Sequence, residues 1–299
     1  MAIVMFLVKM KVRKPAVVFM LNLASADVLL ISVLPFYIVY RFSGSHWLFG
    51  EGMCRFFMAA YYCNMYCSSL LMTSISVDRF LAVVYPLRSL AWRTVKRAWL
   101  VCGVIWVISL ASTVPVLINE QTWAIPALDL TTCFDFQKVE LYLNFYLPYI
   151  SSAFSLFIFL PLLITTFCYI GIIRSLSRSQ FDGTRKRSRA ICLSVVVLCM
   201  FVLCFGPTNV IYIIHLVRTM VYDDSSMYIP YIVSSRISSI NCCLDPLIYY
   251  FASSQCQRYV CSLLGRKKDY RPPVEQMLER VHKDQQQEST HSTPITGSG

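Results

Sequence analysis

The chain has 299 residues, 57% of them hydrophobic and 14% charged, with a formal charge of +11. A soluble domain carries about 25% charged residues, so this composition argues against a water-solvated surface and for a protein solvated by lipid. The lysines and arginines fall between apolar runs and in the tail, which suits an anionic lipid leaflet as partner and not nucleic acid.

Seven apolar segments can be drawn, at about 1–8, 16–40, 55–84, 98–118, 142–173, 190–217 and 227–251. The first lies in "MAIVMFLVKMK" and is about half of the ~20 residues a span needs. No secretory signal precedes it. Met1 therefore reads as an internal residue of a longer chain, one that starts inside its first helix. Only helices suit segments of this length in lipid, where each backbone N–H and C=O must be met within the segment. Pro35, Pro115, Pro148, Pro161, Pro207, Pro230 and Pro246 lie inside or at the ends of these spans and read as kinks.

The connections alternate in charge. "KMKVRK" (9–14) and "RSLAWRTVKR" (88–97) are purely basic, and "RSLSRSQFDGTRKRSR" (174–189) is strongly so. Between 119 and 140 lie Glu120, Asp129, Asp135 and Glu140 against Lys138 alone, and Asp223 and Asp224 follow Arg218. Basic loops stay on the cytoplasmic side. The expected topology has an odd number of spans, the N-terminus outside and the C-terminus inside.

Eleven of the thirteen cysteines lie in apolar runs or on the inner side, where thiols stay reduced. Only Cys54 and Cys133 fall on the outer side, and that compartment isolates them as a disulfide pair. Cys256 and Cys261, past the last span, are either palmitoylation sites or ordinary thiols of an amphipathic helix.

Ionisable residues inside spans are costly in lipid and usually functional. Here they are chiefly Asp27, His215, Arg236 and Asp245. If the second and seventh spans are neighbours, Asp27 and Asp245 share a polar cavity with Ser68 and Asn241. Two close carboxylates do not both stay ionised alone, so a sodium ion or a shared proton is expected there. The alternative is a protonated aspartate pair that only packs the bundle. At the inner end of the third span, in "SISVDRFLAVVYP" (74–86), Asp78 can hold Arg79 in one state and release it in another. Alternatively, Arg79 simply snorkels to the headgroups.

Past the last span, "ASSQCQRYVCSLL" (252–264) has helical apolar spacing at Tyr259, Val260, Leu263 and Leu264 and suits a surface-lying helix. The expected layout is a bundle over 1–252, an amphipathic helix over 253–264 and a disordered tail over 265–299. Ser289, Thr290, Ser292, Thr293 and Thr296 in that tail are candidate phosphosites for arrestin.

Taken together, "LASAD" in the second span, Cys54 opening the third, "DRF" closing it, "FGP" in the sixth and "DPLIYY" in the seventh resemble the rhodopsin-like G-protein-coupled receptors, in that family's order. Longer stretches are similar to the protease-activated receptors, and among them to the thrombin-responsive branch. They are "RKPAVVFMLNLASADVLL" (13–30), "YYCNMY" (61–66), "SVDRFLAVVYPLRSLAWRT" (76–94), "CFGPTNV" (204–210) and "SSINCCLDPLIYYFASSQCQRYV" (238–260).

The resemblance implies an all-α seven-helix bundle in the plasma membrane. An extracellular serine protease would unmask a tethered N-terminal ligand lying upstream of Met1. The receptor would then activate heterotrimeric G proteins, phospholipase C and calcium signalling, with roles in coagulation and in platelet or vascular responses. Carried over residue by residue, Arg79 would meet the G protein, with Tyr169 and Tyr249 rearranging beside it. Phe205 above Pro207 would be the switch of the sixth span. Tyr62, His215 and Tyr231 would line the outer pocket, and Asp135 would meet the amine of the incoming peptide. Asp27, Ser68, Asn241 and Asp245 would form the cation site, and no other cofactor is implied.

The chain departs from the pattern at Phe80, where Tyr is common, at Phe134, where His is expected, and at Leu216, where Tyr is expected. Arg236 is unexpected for the family. Three competing readings remain. One is a peptide- or lipid-activated receptor that needs no protease. A second is a transporter, which would favour internal repeats that the chain lacks. The third is an enzyme, which lacks a nucleophile-elbow or metal-ligand motif.

Overall fold

The computed structural model describes residues 14–89, 91–126, 129–133, 147–178, 198–199, 201–204, 206–208, 210–215, 217–218, 226–237, 242 and 244–245. The chain divides into two compact units, Met1–Ser254 and Gln255–Gly299, and all of these residues belong to the first. The first apolar segment, the surface helix and the tail lie outside the described residues.

Helix α1 spans Pro15–Phe42, with a proline in its first turn, where the missing N–H has no intrahelical role. Its end is marked by positive φ at Gly44 and Ser45, and Gly50, at φ 74°, turns the chain into the next helix. Helix α2 runs Gly50–Val84. Its 35 residues give a length of about 52 Å, against about 30 Å of hydrocarbon, so it is long enough to extend beyond the lipid core. A short turn of helix, α3 (Pro86–Ser89), leads to α4 (Val95–Ile118), whose N-cap Thr94 accepts from the Arg97 backbone N–H.

Helices α5 (Leu147–Phe154) and α6 (Leu160–Arg178) are joined without a break through a π turn at Ser155–Phe159. Residues 201–204, 206–208 and 210–215 are helical, and α7 covers Tyr228–Ile237. Among the described residues, four segments are long and apolar enough to cross a membrane: Pro15–Phe42, Gly50–Val84, Val95–Ile118 and Pro148–Ser175. They coincide with the second to fifth apolar segments of the sequence.

The outer segment after α4 is not irregular. It forms an antiparallel hairpin of β1 (Thr122–Ile125) and β2 (Leu130–Cys133), with Thr122 opposite Cys133 and Ile125 opposite Leu130. Asp129 at φ 48° makes its turn. The all-helical reading missed this element, although Thr122, Ile125, Thr131 and Thr132 are the β-branched residues that favour strands.

Helix α2 is the centre of the packing and touches α1, α4 and α6. α4 stands at the edge, with Leu100, Val104, Val107, Leu110 and Ile118 exposed as a lipid-facing side. Trp106 on its other side donates from Nε1 to Asn22 Oδ1 of α1 at 3.0 Å, so this tryptophan is interhelical.

Between α2 and α6 the contact is a line of hydroxyls. Ser69, Thr73 and Ser76 share one face of α2, at helical spacing. Ser69 Oγ donates to Phe157 O at 2.6 Å, Thr73 Oγ1 meets Thr165 Oγ1 at 3.3 Å, and Ser76 Oγ meets Tyr169 Oη at 2.7 Å. The first of these has a clear origin. Pro161 has no N–H to give the carbonyl four residues before it, which is Phe157 O. The local π turn and the Ser69 hydroxyl together accommodate that freed carbonyl in a buried site.

Replacing Ser69 with Ala therefore leaves the Phe157 carbonyl without its donor. We expect a loss of about 0.5–1.5 kcal/mol, read as a lower melting temperature of the detergent-solubilised protein. Ser112→Ala, whose hydroxyl bonds back to Ile108 O of its own helix, should leave the melting temperature unchanged.

Candidate functional site

The residues with chemistry gather at three levels along α2. At the outer level, Cys54 in its first turns is disulfide-bonded to Cys133 of the hairpin. The disulfide expected between these two cysteines is present.

Below the disulfide lies an aromatic cluster. Tyr62 stacks on Tyr66 with ring centres 5.9 Å apart, and Tyr66 stacks on Phe157 at 4.4 Å. Tyr212 lies 5.2 Å from Tyr231 and 5.0 Å from Phe154, and its hydroxyl meets Ser151 Oγ at 2.5 Å. His215 is fully buried and lies parallel to the Tyr231 ring at 6.0 Å. Tyr62, Tyr66, Phe157, Tyr212 and Tyr231 belong to one core cluster. The three predicted pocket residues Tyr62, His215 and Tyr231 are therefore brought together, with Tyr66 and Tyr212 between them. These two tyrosines carried no role in the sequence reading. Their signal was helical spacing, since Tyr62 and Tyr66 are four residues apart on one face.

At the middle level, Asp27 and Ser68 are both buried. They are connected by Asn64, whose Nδ2 lies 3.4 Å from Asp27 Oδ1 and 3.4 Å from Ser68 Oγ. Asn64 was not singled out from sequence, yet its spacing of four from Ser68 puts both on the face of α2 that meets Asp27. Asp245 is completely buried. Asn241 lies outside the described residues.

At the inner level, Asp78 is buried with 5% of its side chain exposed. Both its carboxylate oxygens accept from Arg93: Nε to Oδ1 at 2.8 Å and Nη2 to Oδ2 at 2.9 Å. The sequence reading gave Asp78 one arginine, its neighbour Arg79. The structure supplies a second, and it takes both oxygens. Consecutive residues on a helix do not face each other, whereas the turn at Pro86–Ser89 brings Arg93 back over the end of α2. That turn is closed by Ser89 N donating to Tyr85 O at 2.9 Å and Arg93 N donating to Ser89 O at 2.9 Å. Hydrogen bonding to Asp78 also raises the pKa of the Arg93 guanidinium.

Tyr169 is buried, with its hydroxyl on Ser76, one turn from Arg79. The departure at Phe80 has a packing partner. Any Cβ at position 171 would sit 2.4 Å from the Phe80 ring, so Gly171 is what lets α6 approach it.

In the sixth span Pro207 is exposed within helical residues 206–208. Beside it, Thr208 Oγ1 donates to Ser234 O of α7 at 3.0 Å. Asp135, Phe205, Tyr249, Cys256 and Cys261 lie outside the described residues, as do Phe134, Leu216 and the side chain of Arg236. Among the described residues no group of three or more His, Cys, Asp or Glu side chains is placed to hold a metal ion.

Helix α2 thus carries a disulfide to the hairpin at one end and the Asp78–Arg93 pair at the other, with the aromatic cluster and the buried Asp27 of α1 packed against it between them. The pattern of the 7 transmembrane receptor (rhodopsin family) matches residues 1–249, and the chain belongs to that family. It is a family of receptors and not of enzymes, and its members cross the membrane several times.

Among curated proteins the chain is similar to proteinase-activated receptor 1 of Xenopus laevis, with 58% identity over 272 residues, or 91% of this chain and 64% of that protein. It is 54% identical to proteinase-activated receptor 1 of Homo sapiens over 273 residues, with the same coverage of 91% and 64%. A more distant relative is a purinoceptor of Gallus gallus, 36% identical over 248 residues, covering 82% of this chain and 69% of that protein. The chain thus spans just under two thirds of the length of the first of these relatives.

The Asp78–Arg93 pair makes a checkable demand. Arg93→Ala should lower stability by about 1–3 kcal/mol, the usual range for a hydrogen bond to a charged group, read as a drop in melting temperature. Arg93→Lys should recover less than half of it, because an ammonium cannot engage both carboxylate oxygens side by side.

Proposed function

We propose that this chain is the membrane-spanning part of a G-protein-coupled receptor of the protease-activated type. Identity of 58% and 54% to proteinase-activated receptor 1 of two species carries the proposal. The arrangement along α2 supports it. A peptide arriving from outside meets the hairpin and the Tyr62–Tyr231 cluster first. The inner end presents Arg79, beside the Asp78–Arg93 pair, to a cytoplasmic partner. In this reading the N-terminus is extracellular and the tail cytoplasmic, and the bundle covers 1–252, with a surface helix over 253–264 and a disordered tail beyond.

An extracellular serine protease of the thrombin type unmasks the ligand in an N-terminal exodomain of the full-length receptor. Tethering gives that ligand a local concentration of about the millimolar order, so weak intrinsic affinity suffices. Asp135 receives its amine, a pairing of charge with counter-charge. The seventh-span residue Tyr249 and the inner tyrosine Tyr169 rearrange beside Arg79 as Phe205 and Pro207 let the sixth span move. Heterotrimeric G proteins couple this to phospholipase C and calcium. Arrestin binds the phosphorylated tail, and palmitate on Cys256 and Cys261 holds the surface helix to the lipid. Roles in coagulation and in platelet or vascular responses follow from the likeness.

A sodium ion is proposed between the second, third and seventh spans. The donors fit such a hard cation: the buried carboxylates of Asp27 and Asp245 and the Ser68 hydroxyl are all oxygens. Asn64 orients two of the three by its amide, and Asn241 completes the set.

The likeness to the Gallus gallus purinoceptor sustains the other reading, a receptor of the same family that needs no protease. One experiment separates them. Full-length receptor is expressed in cells, and calcium release and GTP exchange are followed with thrombin, with trypsin and with neither. Thrombin should evoke both signals, and Arg79→Ala should reduce them at least tenfold with cleavage unchanged. A response to trypsin alone would reject the thrombin-type protease. Signalling that needs no protease at all would favour the second reading.

A further inference from the structure

The hairpin is gripped twice at the same register, and only one grip is the disulfide. Cys54 holds Cys133 on β2. Directly opposite Cys133 in the hairpin is Thr122 on β1. Thr122 and the residue before it are held by Glu51, one helical turn before Cys54. Glu51 Oε1 accepts from the Gln121 backbone N–H at 2.8 Å, and Oε2 accepts from the Thr122 backbone N–H at 2.8 Å and from Thr122 Oγ1 at 2.5 Å.

The carboxylate is itself fixed. Arg55 Nε donates to Oε1 at 2.5 Å, and Arg55 Nη1 reaches Leu117 O at 3.2 Å and Ile118 O at 3.3 Å, the orphan carbonyls at the end of α4. One turn of α2 thus ties together the end of α4 and the base of both strands. The outer edge of β2 is covered by the α1–α2 connection, where Trp47 N donates to Thr131 O at 2.7 Å and Thr131 N donates to His46 Nδ1 at 3.1 Å.

The disulfide and the Thr131 hydrogen bonds all act on β2 and leave the hairpin able to tilt about that strand. A second attachment on the opposite strand, at the paired residue, removes the tilt. We infer that Glu51 is a positioning residue for the peptide ligand: its carboxylate clamps β1 so that the hairpin stands at one angle over the Tyr62–Tyr231 cluster. This rests on the proposed activation by an unmasked peptide and adds to it the group that sets the shape of the entry. A charged acceptor facing two adjacent backbone N–H groups, a hydroxyl and a guanidinium is a strong anchor. An isosteric amide cannot replace it, because its NH2 would face a donor.

The test uses full-length receptor carrying Glu51→Gln, with Glu51→Ala alongside. Hydrogen–deuterium exchange of peptides covering residues 119–126 reads the clamp directly. The probe for signalling is a synthetic peptide copying the N-terminus that thrombin unmasks on the wild-type receptor. Exchange at Gln121 and Thr122 should rise in both variants. The peptide concentration for half-maximal calcium release should rise about tenfold, as expected for the loss of one charged hydrogen bond. Surface receptor number, thrombin cleavage rate and maximal response should stay at the wild-type level.

Unchanged exchange in Glu51→Gln would overturn the clamp. Raised exchange with an unshifted peptide response would overturn the positioning role. A loss confined to receptor number and maximal response would mean that Glu51 only supports folding, and would overturn it too. A wild-type receptor that ignores the peptide would instead sink the activation reading, and with it the positioning role, while the exchange measurement would still decide the clamp.

Discussion

In a lipid solvent a polar group has no water to fall back on, so each one carried into the membrane must meet a partner from the protein. Helix α2 is where this chain concentrates that demand. Asn64, Ser68, Ser69, Thr73, Ser76 and Asp78 are all buried along its length. Each has a partner: Asp27 for Asn64, Asn64 for Ser68, Phe157 O for Ser69, Thr165 for Thr73, Tyr169 for Ser76 and Arg93 for Asp78. The register of α1 and α6 against α2 is fixed by these meetings more sharply than by apolar packing, because a Leu slides along another Leu at little cost and a hydroxyl does not slide off its acceptor. The same helix carries Glu51 and Cys54 near one end and Asp78 and Arg79 near the other.

This placement relates the two surfaces of the membrane. The outer hairpin and the aromatic cluster lean on the upper part of α2, and the line of hydroxyls toward α6 carries on below them to Tyr169. The π turn at Ser155–Phe159 sits where the aromatic cluster ends and the hydroxyl line begins. Turns of this kind are locally adjustable and recur at functional positions. A contact made above this turn and one made below it are therefore joined by a continuous set of packed, hydrogen-bonded side chains, which is the physical condition for two sites to influence one another.

Much of the architecture was legible in the residues. The lengths of the apolar runs gave the spans, since lipid leaves the backbone no choice but helix. The alternation of basic and acidic connections set Cys54 and Cys133 apart from the other cysteines, and these two are the disulfide pair. What stayed hidden depended on the mutual register of separate elements. Nothing in an apolar run tells whether Trp106 faces lipid or another helix, and only the placement of Asn22 of α1 opposite it decides that. Arg93 was one cation among several in a basic loop, and its reach to Asp78 depends on a four-residue turn that composition does not announce. The hairpin was missed because an acidic outer connection was read only for its charge. Asn64 was within reach, because its spacing from Ser68 already put the two on one face.

The central claim is that α2 runs from the outer disulfide to an inner Asp-Arg pair, so that the hairpin and the α2–α4 turn lie in opposite compartments. Single cysteines at Trp123 and Arg88 in the full-length receptor, labelled with a membrane-impermeant maleimide on intact cells, test it most directly. The account predicts labelling at position 123 on intact cells and at position 88 only after permeabilisation. Labelling of position 88 on intact cells, or of position 123 only after permeabilisation, would contradict it.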